Sequence, residues 1–395
     1  MTPPAPLNWQ EDGQTRSALW VADHGARPPS KVMVVDDTLN ADTAYRLACE
    51  GTGLLWRGDF QNARQLLQAL KRRLDRPARK KPAKVKASDN AHPTPSVFNA
   101  HRQAQSQRAR VLGQILIELQ PDYSIALRRA PDVQAACQQA WGPADGQHRV
   151  VSLRSLQGVI GSFEWRKNGV EVPALGENLR IHPHYGVFSP VRGEYVQLVA
   201  KAPWPEALKA HSVAFDIGVG TGVLSALLVR RGAAQVVGSD LSERASACAR
   251  DNLQRLGLQN QVQLLHTDLF PPGLAALVVC NPPWLPARAT SLLEQAVYDE
   301  GSQMLKGFLS GLPAHLCEGG EGWLILSDLA EHLGLRSREE LLSWIAQAGL
   351  QVLGRMDVKP VHGKASDETD PLHAARAAEV TSLWRLGAAA NPPVN

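Results

Sequence analysis

Val213-Ala214-Phe215-Asp216-Ile217-Gly218-Val219-Gly220-Thr221-Gly222 runs straight into VLSALLVRR, residues 223 to 231. Five mostly apolar residues are too few for a helix, three alternate glycines follow, and helical spacing starts at Val223. This is a buried strand passing through a tight turn into a helix. Downstream the same two periods alternate. Strands are predicted at Gln235 to Ser239, Val262 to His266, Leu277 to Cys280 and Gly322 to Leu326, and helices at Glu243 to Leu256, Ser302 to Leu316 and Arg338 to Ala348. Two last strands, Gln351 to Met356 and Glu379 to Leu386, have no helix signal between them and read as an antiparallel edge. Strict alternation implies an α/β fold, a doubly wound, mainly parallel seven-stranded sheet, here over residues 181–387.

Upstream, the periodicity is helical. Ala41 to Glu50, Asn62 to Leu74, Ser106 to Leu119 and Val133 to Trp141 repeat apolar residues at helical intervals, with one strand at Lys31 to Asp36. The expected domain order is a helical part at 1–75, a disordered basic linker at 76–96, more helix at 97–148 and a β-hairpin at 149–180. Asn168-Gly169 between two alternating runs supplies the hairpin signal. A disordered tail is expected at 388–395.

Across 395 residues the net charge is +4. Nine Lys and Arg between 71 and 86 face Asp75 alone, so that stretch carries +8 and leaves −4 for the rest of the chain. A polybasic run of this kind can grip phosphates of a nucleic acid, or serve only as a solvated spacer. The apolar stretches fall short of the roughly 20 residues of a membrane span. The opening MTPPAPLNWQEDG lacks a signal-peptide pattern, so the expectation is a cytoplasmic protein without membrane contact. Five scattered cysteines without a CxxC pair indicate neither a disulfide framework nor a zinc site, and His182 and His184 lack helix-face spacing, so no metal is expected.

Gly218, Gly220 and Gly222 open the main chain to a ligand, and the helix behind them directs its amides toward it. Such turns also serve nicotinamide and flavin nucleotides, although glycines at 218, 220 and 222 depart from the strict dinucleotide spacing. Asp240 closes the second strand 22 residues after Gly218, near the distance at which a carboxylate meets ribose hydroxyls. Asp268 closes the third strand, where it can accept from an adenine amino group while Leu269 and Phe270 wall the ring. The fourth strand ends in Val278-Val279-Cys280-Asn281-Pro282-Pro283-Trp284. Two prolines stop the ladder, so the Pro282 carbonyl and the Asn281 side-chain carbonyl can accept the two hydrogens of a planar NH2 group while Trp284 stacks on its face. Asn391-Pro392-Pro393-Val394 repeats three of these letters without a strand before it or an aromatic after it, and is assigned no role.

On these motifs the chain resembles the class I S-adenosylmethionine-dependent methyltransferases, within them the NPP(Y/F/W) group acting on planar nitrogens. The resemblance spans about half the chain. It implies S-adenosylmethionine as cofactor, with Asp216, Gly218, Gly220 and Gly222 at its methionine part, Asp240 at its ribose and Asp268 and Leu269 at its adenine. Asn281, Pro282, Pro283 and Trp284 are then the catalytic residues, with Asn281 also bordering the cofactor. The domain order is similar to that of release-factor glutamine N5-methyltransferases, whereas a Trp in the motif and the polybasic insert depart from it. A glutamine side chain of a translation protein is the implied substrate. The alternative is an exocyclic amine of adenine or guanine in ribosomal RNA, and a catalytically silent RNA- or ribosome-binding module is the rival from another class.

Overall fold

Asp12 and Gly13 both adopt positive φ (52° and 76°), as a two-residue hairpin turn demands, and they join two paired strands at the start of the chain. The computed structural model describes residues 5–22, 26–75, 94–191, 193–360 and 367–389. It divides into two units, residues 1–90 with 99–164, and residues 91–98 with 165–395.

The first unit is built on a six-stranded mixed sheet. Its strands are β1 (Pro6–Glu11), β2 (Gln14–Val21), β3 (Lys31–Val35), β4 (Thr52–Trp56), β5 (Ile115–Leu119) and β6 (Arg149–Ser152), in the order β1-β2-β6-β5-β4-β3. The helices Ala41–Cys49, Phe60–Leu74 and Gln134–Trp141 match the expected segments closely. The expected helical domain is therefore corrected to an α/β one. Ile115–Leu119 lies inside the predicted helix 106–119, yet the helix Pro95–Leu112 stops before Gly113 and ILIEL forms a strand with four of its five residues buried. A fully buried strand has no polar face, so its run of apolar residues imitates a buried helix.

The expected hairpin at 149–180 is corrected as well. Leu153–Asn168 is a helix, and Gly169, at φ 69°, ends it by donating its N–H to the Trp165 carbonyl at 2.8 Å. Asn168-Gly169 is thus a helix stop rather than a hairpin turn. A small antiparallel pair follows, β7 (Val170–Glu171) with β8 (Arg180–Ile181). Most of the basic linker, residues 76–93, and most of the tail, residues 390–395, lie outside the described residues.

The second unit carries β9 (Val213–Ile217), β10 (Gln235–Asp240), β11 (Val262–His266), β12 (Ala275–Cys280), β13 (Leu316–Ser327), β14 (Leu350–Val358) and β15 (Thr381–Ala388). They form one seven-stranded sheet in the order β11-β10-β9-β12-β13-β15-β14. The pairs among β9 to β13 are parallel, and β15 runs antiparallel to both β13 and β14. This is the expected doubly wound sheet with its antiparallel edge. One detail differs, since the helix His373–Ala378 precedes β15. Apolar cores cover both faces of the sheet, one around Leu227, Val279 and Trp323, the other around Phe215, Phe308 and Leu324. The strand order reverses between β9 and β12, where the C-terminal ends of neighbouring strands leave a crevice. No helix among the described residues is long and apolar enough to cross a membrane.

Candidate functional site

β9 is buried over its last four residues and delivers the chain to the glycine turn. Gly218, Gly220 and Gly222 all take left-handed φ, at 76°, 53° and 80°. A Cβ is disfavoured in that region, which explains the alternate glycines. The N–H groups of Gly218 and Val219 both donate to the Ser239 carbonyl at 2.9 Å, tying the turn to the end of β10. Gly238 lets the turn lie flat on β10, because a Cβ there would come within 2.9 Å of Val219 Cγ2. Gly222 begins the helix Val223–Arg230 and packs on the helix Glu243–Arg255, where an added Cβ would meet Ala249 at 3.2 Å.

Asp240 closes β10 and braces the same turn. One carboxylate oxygen accepts the Gly220 N–H at 3.0 Å and the other accepts the Ser242 N–H at 2.8 Å. Burial raises its pKa, and the two backbone bonds oppose that rise. Each oxygen keeps a second lone pair, the acceptor set that a vicinal diol requires.

All six residues of β12 are buried, and Asn281-Pro282-Pro283-Trp284 leaves the sheet at its C-terminal end. The Trp284 indole N–H donates to Asn281 Oδ1 at 2.9 Å. Asn281, Pro282, Pro283, Trp284, Gly218, Gly220 and Asp240 border a single cavity of about 310 Å³. The two motifs, about 60 residues apart in sequence, thus share one opening. Val187, Phe188, Leu224, Leu285 and Met304 give the cavity apolar walls. Its chemistry is that of a slot for a flat or apolar ligand, with an acceptor carboxylate at one wall and an acceptor-rich turn at another.

Four predicted residues are not on that surface. Asp216 is 1% exposed at the end of β9, where its carboxylate accepts from Ser225 Oγ at 2.6 Å. Burial, with the charge of Asp240 as a lesser contribution, pushes its pKa up to about 6. Gly222 supports the turn from behind. Asp268 is exposed, and Leu269, at φ 55°, packs toward Gly307 while its carbonyl accepts from Ser239 Oγ. Neither Asp268 nor Leu269 borders the cavity described above.

Asn252 was not foreseen. Its Nδ2 donates to the carbonyls of Thr221 at 3.0 Å and His182 at 3.3 Å, while its Oδ1 accepts the His182 N–H at 2.7 Å. One buried side chain on the helix Glu243–Arg255 thereby holds the glycine turn and the segment leading to Val187 and Phe188. These partners lie 31 and 70 residues away, beyond any local pattern. Among the described residues, no group of three or more His, Cys, Asp or Glu is arranged to hold a metal ion.

Residues 178–332 match the family model described as Methyltransferase small domain. The release factor glutamine methyltransferase of Caulobacter vibrioides is 40% identical over 121 residues, which is 28% of this chain and 42% of that protein. A putative protein N5-glutamine methyltransferase of Methanocaldococcus jannaschii is 28% identical over 39% of this chain and 78% of its own length. The match therefore spans less than half of the Caulobacter relative. Among solved structures, a ribosomal protein L11 methylase from Lactobacillus delbrueckii subsp. bulgaricus aligns with a TM-score of 0.35 and 17% identity, over 53% of this chain and 86% of that one.

Proposed function

We propose that this chain, which carries a methyltransferase small domain at residues 178–332, transfers a methyl group from S-adenosylmethionine to a planar nitrogen of a macromolecule, the side-chain amide of a glutamine in a translation protein. The observation that carries the proposal is the shared cavity: the glycine turn, Asp240 and Asn281 to Trp284 all border it. The names of the relatives support glutamine over a nucleobase.

The donor set suits the cofactor. Asp240 offers free lone pairs to a ribose diol, Gly218 and Gly220 permit close approach of the main chain, and the apolar walls suit an adenine ring. When bound, S-adenosylmethionine supplies a methyl carbon activated by its sulfonium, so that one C–N bond forms as one C–S bond breaks. The Asn281 and Pro282 carbonyls accept the two amide hydrogens and so fix the nitrogen and its lone-pair direction. Trp284 walls the same space. Positioning of this kind contributes up to roughly 7–11 kcal/mol in favourable cases. The proton released from the methylated nitrogen leaves to solvent.

The test is incubation of the full chain with tritiated methyl donor and a lysate of cells lacking it, followed by separate protease and RNase digestion. Label released by protease and stable to RNase is the expected result. Label released by RNase alone would replace glutamine with a nucleobase amine. Asn281→Ala should cut incorporation at least 100-fold while calorimetry shows S-adenosylhomocysteine binding within about threefold of wild type. Undiminished incorporation would remove Asn281 from the site.

A further inference from the structure

We propose that Trp284 orients the Asn281 amide as well as walling the cavity, its indole N–H holding the Asn281 carbonyl, rather than the NH2, in position to accept from the nucleophile. The proposal rests on the methyl-transfer function above. An Asn side chain ends in a C=O and an NH2 of nearly equal shape, and half a turn about its last torsion exchanges them. In the exchanged state Asn281 would present hydrogens to the hydrogens of an amide nitrogen. It would repel the group that it has to bind.

An indole nitrogen can only donate. Trp284 Nε1 lies 2.9 Å from Asn281 Oδ1, a pairing that only one of the two amide orientations permits. An oxygen has two lone pairs, so one stays available for a substrate hydrogen. The lock is itself held in place. The Trp284 ring packs against the apolar cores on both faces of the sheet. Pro282 and Pro283 stiffen the three-residue spacing between donor and acceptor. Both partners border the cavity, so the bond sits at the wall where the nitrogen has to be held. A ring without an N–H at position 284 would keep the apolar wall and lose the orientation. Trp284 is in this respect a positioning residue that acts through Asn281, and it favours nucleophiles that bring hydrogens over those that bring only lone pairs.

Trp284→Phe separates the two roles. The initial rate of tritiated methyl incorporation into the lysate should fall at least tenfold, while S-adenosylhomocysteine affinity stays within about twofold by calorimetry. An unchanged rate would overturn the proposal. A second measurement does not depend on how well that variant folds. The chain has ten Trp, and in proton–nitrogen spectra one indole cross-peak should move upfield in Asn281→Ala relative to wild type. If all ten keep their positions, the hydrogen bond is absent in solution and the proposal falls. Wild-type protein that binds no S-adenosylhomocysteine and labels nothing would instead overturn the methyl-transfer function, whatever the spectra show.

Discussion

Asp216 holds its carboxylate at 1% exposure, with the hydroxyl and the backbone N–H of Ser225 as donors. Burial favours the protonated form, and the pKa of about 6 lies above the value of 3.8 for the group in water. The folded protein therefore binds a proton more tightly than the unfolded chain. Stability from this source is full below about pH 4 and is lost as pH rises through 6. A shift of about two pKa units corresponds to roughly 3 kcal/mol at most. Asp216→Asn keeps the shape and removes the titration. Urea melts at pH 4.5 and 7.5 should show the variant gaining on wild type by about 1–3 kcal/mol at the higher pH, and parallel behaviour would mean that Asp216 stays ionised. Asp240, one strand away, is only partly buried and accepts two backbone amides. The sequence placed both acids at strand ends without distinguishing the one that braces the turn on the cavity wall from the one sealed beneath it. Partners decide that difference, and they come from separate elements.

The second unit was legible as elements because each strand and helix there states its own period and the glycines mark the turn between them. Asn281 to Trp284 could be found for a related reason, since a Pro-Pro stop behind a buried strand is a local pattern. Asp268 and Leu269 were placed at the correct strand end, but the turn that carries them points Leu269 at Gly307, and nothing local encodes that. In the first unit β4 is buried at all five positions and β5 at four, so neither shows alternation. Asp12-Gly13 turns a hairpin there, while Asn168-Gly169, with the same chemistry, ends a helix. Asn252 escaped any such pattern because its work is between elements. Asn252→Ala would leave the Thr221 carbonyl and the His182 N–H without this partner, at a cost of about 1–3 kcal/mol per buried group. Urea denaturation should show a loss of at least 2 kcal/mol, and weaker S-adenosylhomocysteine binding should accompany it as the segment bearing Val187 and Phe188 loosens. Wild-type stability would mean that water replaces the amide at no cost.

The second unit is not one continuous stretch of chain. The described residues 94–98 belong to it, and Phe98 is 2% exposed in a cluster with Leu285, Ala330, Leu333, Leu372 and Ala375. Leu285 follows Trp284 directly and borders the cavity, so this distant segment packs against the back of the site. Phe98→Ala should cost about 3–5 kcal/mol in urea or thermal melts, as removal of a large buried ring does. A loss below 1 kcal/mol would show that the cluster closes without it. The consequence reaches anyone who would graft the second unit onto a different leading domain. A chimera joined at residue 165 discards Phe98, the ring that packs beside Leu285, and the apolar seam at Leu285 opens to water. Splicing therefore has to carry Phe98 and its flanking turn of helix along, or furnish a substitute ring from the new partner.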